Sequence, residues 1–160
     1  MSFELAKSYI EKKGYSENII HFETSTATVE LAAKALNVES GQIAKSLSFK
    51  DKDGNIIMVV MAGNVVIDNR KYKEYFNFKA SMLNLDDVEE KVGHKVGGVC
   101  PFGIKNGIAV FMDKSLLRYV EVYPACGDQN NVLRLSVQQL FELSNAKDWI
   151  DVSKIREYNK

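Results

Sequence analysis

A short glycine-rich loop carries the most unusual residue pattern in the chain. Residues 97–103 read Gly-Gly-Val-Cys-Pro-Phe-Gly, so three glycines surround one of only two prolines. Glycine lets main-chain groups approach a ligand closely, while Pro101 fixes its own φ and favours an extended Cys100. The loop can therefore hold N–H and C=O groups in fixed directions. It is also compatible with a plain tight turn, and its spacing fits neither a Walker loop nor a dinucleotide-binding fingerprint.

Lys45 is the second residue whose position suggests chemistry. It stands at the start of an apolar run, between Ile43 and Leu47, where a lysine is unusual. One interpretation is an edge charge whose stem packs on apolar surface while its ammonium reaches solvent. The other is a fixed cation that faces a phosphate or a developing oxyanion in a pocket, where its charge counts for more than in water. These two interpretations differ only in where the ammonium lies.

Thiol and imidazole groups offer two other kinds of chemistry. Cys100, with His94 six residues upstream, has the partners of a thiol nucleophile, but the sequence supplies no third group that would orient a base. We therefore assign no nucleophile to Cys100 or to Cys126. His21 and His94 lack a third ligand at a metal-binding spacing, so the sequence predicts no metal site and no other cofactor.

Length and composition indicate one globular domain spanning residues 1–160. With 46% hydrophobic residues, the chain can bury a core without disulfides or a structural metal. Its two cysteines show no CxxC spacing, which favours a reducing compartment, and the charged N-terminal segment lacks a signal-peptide pattern. The longest apolar run, residues 56–62, is far shorter than the ~20 residues of a membrane-spanning helix. We therefore predict a cytoplasmic protein without a membrane span.

Charge balance limits how the chain can meet a nucleic acid. Its 21 basic and 21 acidic residues cancel, so no overall positive field holds a polyanion. Any such contact must be local. The candidate cations for a local patch, which can equally form an ordinary solvated face, are Lys45, Lys50, Lys52, Arg70, Lys71, Lys73 and Lys79.

The elements that must position these residues follow from apolar periodicity. Apolar residues at helical spacing predict a first helix that ends near Gly14 and a second helix over residues 29–36. The predicted helix caps are Thr26 or Thr28, Asp68, Asn84, and Ser136 with Gln139.

Runs rich in β-branched and aromatic residues predict the strands. Residues 45–50 and 56–61 flank an Asp-Lys-Asp-Gly-Asn turn, which favours an antiparallel hairpin, and the second run is apolar on both faces, as in the interior of a sheet. The other predicted strands are residues 19–23, 108–112, 119–123, 132–135 and 149–152. Because hairpins and helices are interspersed, we predict an α/β (α+β) fold with a central mixed, largely antiparallel sheet wrapped by helices.

Several motifs, taken in their order along the chain, resemble those of a known family. They are residues 28–33 (Thr-Val-Glu-Leu-Ala-Ala), 43–47 (Ile-Ala-Lys-Ser-Leu) and 62–64 (Ala-Gly-Asn), Asp68 with Lys71, the 97–103 loop, and 111–113 (Phe-Met-Asp). Over residues 15–145 the chain resembles the YbaK family and the inserted editing domain of bacterial prolyl-tRNA synthetase. Motifs in the same order and spacing are more specific than any single one.

The resemblance implies a hydrolase that removes a wrong amino acid from tRNA without a metal or cofactor. In that family the strand lysine, here Lys45, lies in the editing pocket, and a GxxxP loop, here Gly97 to Pro101, holds the terminal adenosine and the aminoacyl ester through its backbone. The implied catalytic positions are Lys45, Gly98 and Pro101. The implied substrate-binding positions are Thr26, Gly63, Gly97, Val99, Cys100, Asp113 and Gly127. The implied partners are the acceptor end of a mischarged tRNA and prolyl-tRNA synthetase.

Two departures from the family pattern leave the substrate open. Phe22 stands where YbaK itself tends to carry tyrosine, and the turn at residues 127–130 reads Gly-Asp-Gln-Asn instead of Gly-Lys-Arg-Gly. The amino acid removed can therefore be cysteine, alanine, serine, threonine or another small residue. The alternative to a deacylase is a non-catalytic module of the same fold that binds tRNA or a synthetase.

Overall fold

A six-stranded mixed sheet forms the centre of the computed structural model, which describes residues 2–156. The ends of the predicted domain, residue 1 and residues 157–160, lie outside the described residues. The strands are β1 Ile19–His21, β2 Ile43–Lys50, β3 Ile56–Ala62, β4 Val65–Ile67, β5 Ala109–Asp113, β6 Glu121–Pro124, β7 Asn131–Leu133, β8 Leu135–Ser136, β9 Trp149–Ile150 and β10 Ser153–Ile155. The order across the main sheet is β8-β6-β2-β3-β5-β9.

The β2–β3 hairpin is the longest pairing and confirms the predicted turn. The two strands run antiparallel from Lys50 opposite Ile56 to Ala44 opposite Ala62. In the turn, the Asp51 carboxyl group accepts the main-chain N–H of residue 53 at 2.8 Å and that of residue 55 at 2.9 Å, while Gly54 has a φ of +85°. The turn sequence thus fixes the register locally.

The sheet mixes both strand directions, as predicted. In the described part of the chain, β2–β6, β3–β5 and β5–β9 pair in parallel, whereas β2–β3, β6–β8, β1–β7 and β4–β10 pair antiparallel. The β1–β7 and β4–β10 pairs form separate two-stranded sheets, and within the six-stranded sheet three of the five pairings are parallel, although the long β2–β3 hairpin is antiparallel.

Strand β3 lies at the centre of the hydrophobic core. It lies between β2 and β5, and residues 58–62 are fully buried, which confirms the prediction that this run is covered on both faces. Each large apolar side chain buried this way contributes about 1.5–3 kcal/mol relative to an exposed one.

The helices lie around this sheet and begin at the predicted caps. They are α1 Ser2–Lys12, α2 Val29–Leu36, α3 Asn69–Phe76, α4 Leu85–Val92 and α5 Val137–Leu143, with 3₁₀ helices at Ser16–Asn18, Ser40–Gln42 and Lys114–Arg118. Of the two threonines considered for α2, Thr28 is the cap, because its hydroxyl accepts the N–H of Leu31 at 3.1 Å. Ser136 and Gln139 form the predicted capping box of α5. No helix in residues 2–156 is both long and apolar enough to cross a membrane.

Several short strands differ from the predictions because tertiary contacts decide them. The predicted run 149–152 ends early as β9, and the chain then turns so that β10 pairs with β4, neither of which the sequence predicted. The predicted run 132–135 is divided at Arg134 into β7, which pairs with β1, and β8, which pairs with β6.

Candidate functional site

A cavity of about 240 Å³ lies between α2, β2, α4 and the 97–103 loop. Its wall is mostly apolar. The apolar residues include Val29, Ala32, Ile43, Leu47, Leu83, Val88, Val96 and Tyr123, and the polar ones are Thr26, Thr28, Lys45, Ser46 and Ser48. Such a cavity suits a ligand with a small apolar part and a few polar atoms that fix its orientation.

Lys45 lines this cavity and is held by two main-chain carbonyls. Its Nζ donates to the carbonyl of Gly63 at 3.4 Å and to the carbonyl of Val65. An ammonium group has three donors, so one remains for a ligand. The two hydrogen bonds fix the position of the ammonium on this half-buried side chain, and the predicted catalytic role of Lys45 stays a prediction.

The electrostatic surroundings of Lys45 disfavour its charge. Burial lowers the pKa of the Lys45 ammonium, the positive charge of Arg156 lowers it further, and the negative charge of Glu30 acts in the opposite direction. Glu30 and Arg156 themselves form an ion pair at 3.8 Å. A desolvated ammonium next to a cavity interacts strongly with an anionic group that enters it.

The 97–103 loop contributes Gly97 and Val99 to the opposite side of the cavity. Within the described residues, the N–H groups of Gly97 and Val99 have no hydrogen-bond partner, so both donors are available to a ligand. Gly97 has a φ of +94°, a conformation that favours glycine. The main chain of this loop thus supplies donors at a site that also holds a cation.

Gly98 does not line the cavity, and its main chain is already engaged. Its N–H donates to the carbonyl of Lys95 at 3.0 Å, and a Cβ added at this position would lie 2.4 Å from the nitrogen of Asp128. Glycine is therefore needed for the close approach of the loop to the following turn. The predicted catalytic role of Gly98 has no ligand contact in this geometry and stays a prediction.

Cys100 and Pro101 belong to the same loop, but they are buried and do not line the cavity. The Nε2 of His94 lies 2.6 Å from the carbonyl of Phe102, and since a carbonyl only accepts, Nε2 carries the proton. His94 therefore cannot take a proton through Nε2 from Cys100, whose Sγ is 3.5 Å away. Burial also raises the pKa of the Cys100 thiol and lowers that of His94, so this geometry does not support a thiol nucleophile.

Of the other predicted positions, Thr26 lines the cavity and Gly63 adjoins it. The Thr26 hydroxyl donates to the carbonyl of Gln129 at 3.0 Å, and Gly63 supplies a carbonyl that holds Lys45. Gly127 lies outside the cavity wall, with a φ of +85°, and a Cβ there would be 2.4 Å from the carbonyl oxygen of Ser2. Gly127 thus allows the first helix to pack against this turn.

Asp113 is fully buried away from the cavity and joins two segments of the chain. Its carboxyl group accepts the N–H of Ser115 at 3.0 Å, the N–H of Val152 at 2.9 Å and the hydroxyl of Ser153 at 2.6 Å. A direct contact with a ligand in the cavity is not part of this arrangement, so its predicted substrate-binding role stays a prediction.

Ser46 is a cavity residue to which the sequence analysis gave no role. Its Oγ is buried and has no hydrogen-bond partner within the described residues. A buried hydroxyl without a partner costs about 1–3 kcal/mol, and a polar ligand atom would satisfy it. Nothing in the local sequence distinguishes this serine from Ser48, because the lack of a partner depends on the surrounding tertiary structure. In residues 2–156, no three His, Cys, Asp or Glu side chains are grouped as a metal site.

Comparison with known proteins gives matches over most of the chain. The profile of the aminoacyl-tRNA editing domain matches residues 23–143, which include most of the cavity wall. A crystal structure described as a proposed trans-editing enzyme for prolyl tRNA synthetase superposes with a TM-score of 0.86 at 27% identity, covering 96% of this chain and 97% of that one.

Sequence relatives are of two kinds. The uncharacterized protein YwhH of Bacillus subtilis (strain 168) is 43% identical over 154 residues, which are 96% of this chain and 98% of YwhH. The proline–tRNA ligase of Thermosipho melanesiensis is 30% identical over 128 residues, but these are 78% of this chain and only 22% of the ligase. The chain thus matches a short protein along its whole length and a small part of a synthetase.

Proposed function

This chain belongs to the aminoacyl-tRNA editing domain family, and we propose that it acts in trans as a deacylase of mischarged tRNA. The proposed substrate is tRNA(Pro) that carries a small wrong amino acid such as cysteine or alanine. Water attacks the carbonyl carbon of the aminoacyl ester, the bond to the ribose oxygen breaks, and that oxygen leaves with a proton. The products are free amino acid and tRNA.

One observation carries this proposal. Lys45, Gly97 and Val99 line the same cavity, and within the described residues the N–H groups of Gly97 and Val99 have no hydrogen-bond partner. An aminoacyl ester is already activated, and donors aimed at the developing oxyanion are typically the largest single contribution to catalysis of acyl transfer. Positioning of the ester and a water can therefore suffice without a side-chain nucleophile.

The cavity also supports the small size of the proposed amino acid. Its volume of about 240 Å³ must hold the reacting ester together with part of the terminal nucleoside, and its wall contains Val29, Leu83 and Val88 rather than charged groups beyond Lys45. One methylene more or less in such a pocket changes binding by only about 1–3 kcal/mol. Selection among cysteine, alanine, serine and threonine is therefore an experimental question.

Prolyl-tRNA synthetase is the proposed partner, and the cytoplasm is the proposed place of action. The proline–tRNA ligases that resemble this chain contain the similar segment as a minor part of their length. A free-standing protein of this kind would act on tRNA that the synthetase has released.

The test is a panel of tRNA(Pro) samples esterified with different small amino acids, followed by single-turnover hydrolysis. We expect wild type to deacylate at least one sample and Lys45→Ala to lose about 100-fold in rate, the usual cost of removing one oxyanion-stabilising group. Lys50→Ala is the matched control, because Lys50 is at the other end of β2, outside the cavity, and undergoes the same side-chain truncation. We expect it to react like wild type.

Two results would count against the proposal. Equal hydrolysis by wild type and Lys45→Ala would remove the lysine from the mechanism. Tight binding of the tRNA or of the synthetase without turnover of any sample would instead identify the chain as a binding module of the same fold.

A further inference from the structure

A second cleft, of about 310 Å³, lies between β4, the start of α3, the 3₁₀ helix Lys114–Arg118 and the segment 151–155. Its charged side chains are Lys71, Lys114, Arg118, Lys154 and Asp151. Four cations and one carboxylate give the cleft a net charge of +3, although the whole chain is neutral. Positive charge thus predominates among the side chains that line this cleft.

Two of these cations are not neutralised by the protein. Lys71 is held by the carboxylate of Asp151 at 3.1 Å and by the carbonyl of Ser153 at 2.9 Å. Asp68 interacts electrostatically with Lys154 and Lys71 and offsets part of their charge. Lys114 and Arg118, in contrast, form no ion pair in the part of the chain that the structure describes.

The buried carboxyl group of Asp113 connects the two sides of the cleft. Asp113 precedes the 3₁₀ helix that carries Lys114 and Arg118, and its carboxyl group accepts hydrogen bonds from residues 115, 152 and 153. The segment 151–155 forms the other side of the cleft. The cationic side chains thus extend from a backbone that is rigid before a ligand arrives, which lowers the entropic cost of binding.

The cleft and the candidate editing cavity share one piece of main chain. The turn between β3 and β4 holds Lys45 through the carbonyls of Gly63 and Val65, and Val65 also lines the cleft. The Val65 residue thus connects the cation of the cavity wall to the wall of the cleft.

We propose that this cleft, which we call the basic cleft, binds the phosphodiester backbone of the RNA whose 3′ end occupies the cavity. The proposal rests on the proposed function for the identity of that RNA. Lys114 and Arg118 are both exposed, and exposed cations along a groove are typical of sites that follow a nucleic-acid backbone. Arg118 can in addition bind a phosphate with two parallel hydrogen bonds. Of the cations that the sequence grouped as a candidate patch, Lys71 alone lines the basic cleft.

The test measures binding of an RNA hairpin of acceptor-stem length with a single-stranded 3′ end and no esterified amino acid. Its affinity is followed by fluorescence anisotropy over a series of salt concentrations. We expect the double variant Lys114→Ala/Arg118→Ala to bind the RNA about tenfold more weakly at 0.1 M salt. We also expect its association constant to depend less on salt, with a slope of log K against log[salt] that is smaller in magnitude by about 1.5, the effect of losing two phosphate contacts.

The matched control is Lys52→Ala/Lys147→Ala, which removes the same number of positive charges from exposed positions at the opposite end of the sheet. We expect its affinity and salt slope to equal those of wild type. Equal losses in both double variants would overturn the proposal, because the effect would then come from overall charge. Absence of RNA binding by wild type would overturn it as well.

A polyglutamate peptide of matched charge distinguishes RNA from an acidic protein segment. If it displaces the RNA at equal concentration and loses affinity in the cleft variant, the basic cleft is a protein-binding site and the proposal is wrong. Because the probe carries no amino acid, the result does not depend on catalysis. Loss of RNA affinity in the cleft variant, without deacylation by wild type, would retain the basic cleft and remove the proposed enzyme activity.

Discussion

Lys45 is the residue on which the proposed chemistry depends, and its surroundings give it two opposing properties. Hydrogen bonds to the carbonyls of Gly63 and Val65 favour the ammonium form, whereas burial and the charge of Arg156 lower its pKa. A cation that is fixed yet incompletely compensated is well suited to stabilise negative charge that appears only during the reaction.

The charges near Lys45 give a prediction about pH. If the ammonium form is active, the rate falls as the pH rises through the lowered pKa of Lys45, below its ordinary value of 10.5. Arg156→Gln removes a positive neighbour, so the pKa of Lys45 rises and the fall in rate moves to higher pH. Glu30→Gln removes a negative neighbour, so the fall moves to lower pH.

The measurement is single-turnover deacylation across alkaline pH, with the rate of ester hydrolysis in the absence of protein subtracted at each pH. Each variant serves as the control of the other, since both break the same ion pair at 3.8 Å but change charge in opposite directions. Shifts of the same sign in both variants would show that loss of the ion pair, rather than charge, acts on Lys45.

At the scale of elements, Asp113 connects the end of β5 to the segment that leads into β10. Its three accepted hydrogen bonds fix the 3₁₀ helix Lys114–Arg118 against residues 152 and 153. Since β10 pairs with β4, the same carboxyl group also stabilises the strand in which Val65 lines the cleft and holds Lys45 through its carbonyl. Asp113 does not line the cavity, yet its hydrogen bonds determine how the 3₁₀ helix Lys114–Arg118 packs against the segment before β10.

Replacement of Asp113 tests this connection. In Asp113→Asn, an amide NH₂ replaces one accepting oxygen and meets buried donors, so we expect the free energy of unfolding to fall by about 1–3 kcal/mol. Asp151→Asn is the control, because Asp151 is exposed and its single ion pair with Lys71 contributes less than about 1 kcal/mol. Urea denaturation of both variants measures the difference. Similar small losses in the two would show that the buried hydrogen bonds of Asp113 are dispensable.

At the scale of the whole molecule, the cavity and the basic cleft differ in charge. The cavity is mainly apolar with one cation, whereas the side chains that line the basic cleft carry a net charge of +3, while the total charge is zero. Under the proposed RNA binding, such local charge would hold one part of a polyanion without an overall positive field.

The prediction of a single domain also belongs to this scale. Trp149, the one tryptophan, stacks on Phe141 with ring centroids 5.3 Å apart, so its fluorescence reports on the contact between β9 and α5. Far-UV circular dichroism reports on all helices and strands. We expect both signals to change at the same urea concentration, because one core unfolds cooperatively. Two separate transitions would instead show that part of the chain unfolds independently.

The sequence by itself determined the elements that depend on neighbouring residues. The hairpin around Asp51 and Gly54, the capping box of Ser136 and the covered strand β3 could all be predicted, because turn chemistry and apolar periodicity act over a few residues. The order of motifs along the chain also indicated the family, which the match of the aminoacyl-tRNA editing domain confirms.

The tertiary structure alone decided which of the predicted site residues line the cavity. It brings Lys45, Thr26, Gly97 and Val99 to one cavity, but it buries Asp113 elsewhere, although all had been grouped together by motif. It also gathers the basic cleft from residues as distant in sequence as 71, 114 and 154. The physical reason is that burial, hydrogen-bond partners and local electric field are properties of long-range packing, which no short pattern contains.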